Sequence, residues 1–188
     1  MWYPFRRKQK NPLSINGEEL AKKVSLNKEF KNLDVVWSSD YVRAMSTAKY
    51  FAYNNNLKVN ISYKLGERIH GVNNWNELPS DFERKQYEDE NYKIGNGESR
   101  KEVTIRMFNI INELLQKYKG KRILVASHLT ALAFLLSNWC EVNYEGTYKY
   151  KDKVILKDKW DYCAGFKLIF DENNKLLDIK KVKLLLKS

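Results

Sequence analysis

Residues 33–48 read Leu33-Asp34-Val35-Val36-Trp37-Ser38-Ser39-Asp40-Tyr41-Val42-Arg43-Ala44-Met45-Ser46-Thr47-Ala48, and their reading decides the fold. The first five make a short apolar run that ends in polar residues, the pattern of a buried strand. Ser38-Ser39-Asp40 closes it. A helix then runs over about 41–53, with Ala44, Thr47, Ala48 and Phe51 on one face, until Asn54-Asn55-Asn56 stops it. A strand therefore hands over directly to a helix. The polar residues at the handover lie where an open α/β sheet keeps its ligands, beyond the carboxyl ends of its strands.

The same handover recurs later. Arg122-Ile123-Leu124-Val125-Ala126 is the solid apolar run of a parallel strand buried on both faces. Ser127-His128 stands at its end, and 129–139 is helical in pattern. Outward from these two units, Ser14 caps a helix over 15–30, with Leu20, Ala21 and Val24 at helical spacing. A strand is expected over 57–63. The clearest helix covers 99–118, through Val103, Met107, Ile111, Leu114 and Tyr118, and Gly120 stops it. The tail offers paired strands over 164–170 and 176–182 around the turn Asp171-Glu172-Asn173-Asn174. Between Gly66 and Gly97 the chain is rich in Asn, Glu and Trp with weak periodicity. It reads as a long excursion over the mouth of the domain with a short helix near 82–87, and loops of that size commonly serve as lids or binding segments. With no repeat and no linker, the expectation is one domain over 1–188. Its fold class is a three-layer α/β/α with a mostly parallel sheet and an antiparallel edge.

The bulk numbers fit that reading. Of 188 residues, 43% are apolar and 30% charged, which excludes a disordered chain. No apolar run approaches the roughly 20 residues of a membrane span, and the start, MWYPFRRKQKN, has no apolar stretch behind its charge to make a secretory signal. Cys140 and Cys163 are too few for a disulfide framework, so a reducing, cytoplasmic setting is expected. A net charge of +11 invites anionic partners. The excess lies in scattered lysines such as Lys22, Lys23, Lys149, Lys151 and Lys153, without an RNA-binding, zinc-finger or phosphate-loop pattern, and this disfavours a nucleic-acid partner.

Three side chains carry candidate chemistry. Arg43 falls in the first turn of a helix behind a buried strand, where backbone N–H groups and the helix dipole favour an anion that a guanidinium can grip bidentately. His128 ends the most hydrophobic strand and opens a helix, so a protonated or hydrogen-bonding imidazole there would stabilise charge on a phosphoryl group. Glu67, at the root of the excursion, could donate a proton to a departing alkoxide. Each alone has an ordinary reading: a surface arginine, a structural histidine, an exposed glutamate. Trp75 and Asn73-Asn74 in the excursion fit substrate contact or lid packing equally.

Five segments in order resemble one family. PLSINGEELAKKV (12–24), VVWSSDYVRAMSTA (35–48), LGERIHG (65–71), NGES (96–99) and ILVASHLTAL (123–132) are similar to the words of the histidine phosphatase, or phosphoglycerate-mutase-like, superfamily. SSDYVRAMSTA is the most specific of them. The resemblance implies a phosphate pocket at the carboxyl edge of the sheet and no metal or organic cofactor. Arg43 would bind phosphate, with Arg6 and Ser127 beside it; His128 would be the second pocket histidine and Glu67 the proton donor. The implied partner is a phosphorylated small molecule or inorganic phosphate, with no membrane; no oligomeric state is implied.

The chain departs from that family at its start. Members open with a strand ending in Arg-His-Gly, whose histidine attacks phosphorus. Aligned without a gap, Arg6 falls on the motif's arginine and Arg7 on its histidine, and arginine has no lone pair to offer. Trp2-Tyr3-Pro4-Phe5 is also a poor stand-in for an internal strand, because Pro4 cannot donate to a ladder. Either a short, crippled strand fills the slot or the sheet has a gap. The expectation is a phosphate-binding family member of impaired catalysis. Two alternatives stay open: an active phosphomonoesterase or mutase-like enzyme whose N-terminal segment is truncated here or whose site is rebuilt, with His70 the only other histidine, and a non-catalytic basic binding module.

Overall fold

The computed structural model describes residues 11–143, 145–157 and 160–182. Helix α1 (Ile15–Ser25) begins on the Ser14 hydroxyl, which accepts the Gly17 N–H at 3.1 Å. It stops earlier than its sequence pattern suggests. The Ser25 hydroxyl turns back onto the Lys22 carbonyl, and Asn27 caps a separate 3-10 turn over Lys28–Phe30. Strand β1 (Val35–Ser38), helix α2 (Val42–Asn54) and strand β2 (Val59–Ile61) follow. After the excursion, which holds the short helix α3 (Phe82–Glu88), come helix α4 (Arg100–Lys117), strand β3 (Ile123–Ala126) and helix α5 (Leu129–Leu136). Helix α4 opens with a full capping box between Ser99 and Glu102.

The strands β2, β1 and β3 form a parallel sheet in that order. Successive side chains alternate between its faces. Val36, Leu124 and Ala126 pack with Ala48 and Ala52 of α2, whereas Trp37, Ile123 and Val125 pack with Met107 and Leu114 of α4 and Leu135 of α5. Helices thus cover both faces, which is the expected three-layer arrangement.

The tail differs in detail. Strands β4 (Glu141–Val142), β5 (Tyr148–Tyr150) and β6 (Lys153–Leu156) form an antiparallel sheet that the Lys-rich sequence concealed. Among the described residues, strands β7 (Phe166–Phe170) and β8 (Leu176–Lys181) pair with each other and not with the parallel sheet. A groove of about 990 Å³ separates β3 from β7. Every residue of 118–125 and 164–174 lines it, and a strand shows consecutive residues to a cavity only along its edge. Among the described residues, the sheet therefore has a gap between two edges. Residues 1–10, with the expected roles of Arg6 and Arg7, lie outside the described residues.

The excursion is closed at its neck. Ile69 accepts the Glu98 N–H at 2.7 Å, and Gly71, at φ +80°, lies so close to Gly97 and Ile94 that a Cβ there would sit 1.8 Å from the Ile94 carbonyl. Arg68, 4% exposed, anchors the inside through Glu83, Gln86 and the face of Phe82. Both cysteines are free. Among the described residues no helix is long and apolar enough to cross a membrane.

Candidate functional site at the carboxyl edge of the sheet

The carboxyl ends of β1 and β3 bring their two junctions together. Ser39 follows β1, and its backbone N–H bonds the Ala126 carbonyl at the end of β3. Arg43 is the second residue of α2, in the first turn as expected. From the other junction, His128 caps α5 and reaches across, 6% exposed. Arg43 Nη2 lies 3.1 Å from His128 Nδ1, and His128 Nε2 lies 2.8 Å from the Ser39 hydroxyl.

These contacts fix the protonation state. A guanidinium can only donate, so Nδ1 accepts and Nε2 carries the hydrogen. The Nε2–H then donates to Ser39 Oγ, which also accepts the Tyr41 N–H at 3.3 Å. Burial first, then the positive charges of Arg43 and Arg106, push the His128 pKa down to about 3. Of the two imidazole forms the sequence allowed, the structure holds the neutral one. The Tyr41 ring rests on the imidazole at 4.5 Å and under the Arg43 guanidinium at 4.7 Å.

Glu67 arrives from the third side. Its carboxylate accepts the Ala131 N–H at 3.0 Å and the Thr130 N–H at 3.4 Å, so it caps the α5 end that His128 leaves without a side-chain cap. Ser127 donates its hydroxyl to the Leu65 carbonyl at 2.7 Å, which leaves only its oxygen to accept from a ligand. Four of the expected residues, Arg43, Glu67, Ser127 and His128, thus meet at one edge. His70 is held in another cluster, with Nε2 3.0 Å from Arg68 and its ring 4.7 Å from Trp75.

Two participants escaped sequence reasoning. Ser39 was visible as part of a polar cluster, but its pairing with His128 crosses 89 positions. Arg106, whose charge acts on His128, was not singled out in the sequence. Asp40 adds a buried carboxylate oxygen, Oδ1, which has no hydrogen-bond partner among the described residues. A guanidinium, an imidazole and a helix first turn converge at this edge, the kinds of group from which anion sites are built. Among the described residues, no group of three or more His, Cys, Asp or Glu side chains is placed to hold a metal ion.

Comparison with known proteins identifies the family. The family model described as histidine phosphatase superfamily (branch 1) matches residues 4–153. Phosphoserine phosphatase 1 of Hydrogenobacter thermophilus is 28% identical over 139 residues, which make up 68% of this chain and 65% of that protein. The chain thus spans just under two thirds of the curated relative's length. Among solved structures, a phosphoserine phosphatase from Entamoeba histolytica, a histidine-to-alanine variant in complex with phosphoserine, superposes with a TM-score of 0.64 at 19% identity, covering 93% of this chain and 87% of that one. A mycobacterial glucosyl-3-phosphoglycerate phosphatase in complex with inorganic phosphate gives 0.61 at 21% identity, covering 70% of each chain.

Proposed function

Since the chain belongs to the histidine phosphatase superfamily (branch 1), we propose that it binds inorganic phosphate or the phosphoryl group of a small phosphomonoester at the Arg43–His128 edge and turns such esters over very slowly. One observation carries this reading: Arg43 Nη2 and His128 Nδ1, delivered by separate strand-to-helix junctions, lie 3.1 Å apart. A phosphoryl oxygen entering there takes a hydrogen bond from the guanidinium. Proton uptake converts His128 Nδ1 from acceptor to donor, so both side chains then point hydrogens at one anion.

The relatives support the ligand class. One holds inorganic phosphate, and another holds phosphoserine in a variant that has lost a histidine. Slow turnover follows from the residues of this sequence, whose two histidines are His70 and His128. His128 has both nitrogens engaged, and His70 faces Arg68. Loss of a covalent nucleophile costs several orders of magnitude in rate. In the role proposed for it, Glu67, at the α5 end, would protonate a leaving group once it carries a proton itself.

The test is hydrolysis of a generic aryl phosphate together with a search for phosphohistidine. The expected result is no phosphohistidine and only trace hydrolysis. Ordinary turnover that survives His70→Ala would overturn the impaired reading.

A further inference from the structure

The expected site residues leave unexplained what holds Glu67 in place. Glu67 sits on an irregular stretch, just after a 3-10 turn over Tyr63–Leu65. Such a turn leaves its last carbonyls without helical partners. Here three consecutive carbonyls are claimed by side chains from elsewhere. Ser127 takes that of Leu65 at 2.7 Å, and Arg106 Nη1 takes those of Lys64 at 2.7 Å and Gly66 at 3.1 Å.

The other edge of the Arg106 guanidinium forms a bidentate pair with Glu98, Nε to Oε1 at 2.7 Å and Nη2 to Oε2 at 2.9 Å. Glu98 Oε2 in turn accepts the Ile69 N–H at 3.0 Å. The backbone before Glu67 is therefore tied to Arg106, and the backbone after it to the carboxylate that Arg106 grips. Both partners of the pair are mostly buried, at 19% and 17% side-chain exposure, so the pair is shielded from the solvent that weakens surface ion pairs. A planar fork with donors on two edges can hold this arrangement; a lysine ammonium cannot reach both sides.

We propose that Arg106 is a positioning residue for the anion site, clamping the segment that carries Glu67 so that the Glu67 carboxylate stays on the N-terminus of α5 beside His128. This rests on the reading of that edge as an anion site, and it adds a residue from helix α4 that makes none of the site's direct contacts. Rotation of the 64–69 segment would withdraw Glu67 from the Thr130 and Ala131 N–H groups and leave the start of α5 uncapped.

Backbone amide exchange measured by NMR tests it in the full chain, with Glu67→Ala as the reference for a lost cap. In Arg106→Gln and in Arg106→Lys, the Ala131 amide is expected to exchange about tenfold faster relative to the core amide of Met107, as in Glu67→Ala. Arg106→Lys keeps the charge, so the same loss there assigns the effect to the fork's geometry. Unchanged Ala131 protection in Arg106→Gln overturns the proposal. So does a loss shared equally by Met107, which would mark Arg106 as a general stabiliser only. Titration of the wild type with inorganic phosphate separates the two ideas, because a protein that ignores phosphate sinks the anion reading and leaves the exchange result standing.

Discussion

Arg43 and His128, 85 positions apart in sequence, share a 3.1 Å contact in which the guanidinium donates to the imidazole Nδ1. The contact makes each side chain a partner of the other. Together with burial, it also lowers the pKa of His128.

Stability should depend on that imidazole. Its folded pKa, about 3, lies below the ordinary value of 6.5, so between those limits the unfolded chain binds more protons than the folded one. The contribution is fully present above pH 6.5 and is lost as pH falls toward 3. At about 1.4 kcal/mol per pKa unit, it amounts to a few kcal/mol. Urea unfolding at pH 7.5 and pH 4.5 should show a larger drop for wild type than for His128→Gln. Equal drops would mean that His128 titrates normally in the folded protein.

Ser39 is fully buried and gives the imidazole N–H its acceptor. Ser39→Ala leaves that N–H without its partner, at a cost of about 1–3 kcal/mol. The variant should melt lower, and the nitrogen chemical shifts of His128 should move away from those of a single tautomer. A melting point within error of wild type would exclude the bond.

Closure of the excursion can be tested at its neck. Gly71→Ala forces a side chain into a positive φ, roughly 1–3 kcal/mol of strain, and against the Ile94 carbonyl 1.8 Å away. The expectation is lower thermal stability together with faster proteolysis inside 72–96. An unaltered melting point and digestion pattern would show that the neck is open in solution.

Much of this was readable from the chain. Val35-Val36-Trp37 and Ile123-Leu124-Val125 announced buried strands by their unbroken apolar runs, the second of the parallel kind, and Ser38-Ser39-Asp40 and Ser127-His128 marked where they end. Arg43, Glu67, Ser127 and His128 do assemble at one edge. Illegible were the features made by contacts between distant segments. The β4–β6 sheet hides in a Lys-rich stretch whose alternation is irregular, with a register shift between Tyr148 and Lys149. The Arg106 clamp works through main-chain carbonyls, which leave no trace in side-chain pattern. Likewise the neutrality of His128 depends first on its burial and then on Arg43 approaching Nδ1, a geometry no spacing rule contains.

Calorimetric titration with inorganic phosphate tests the central claim most directly, run near pH 6.5 on wild type, Arg43→Ala and His128→Ala in two buffers of different ionisation heat. One phosphate should bind per wild-type chain, with proton uptake revealed by a buffer-dependent heat, and each variant should bind at least about tenfold more weakly, the loss of one charge-assisted hydrogen bond. Phosphate binding that is absent from wild type, or that both variants retain at full strength, would contradict the account.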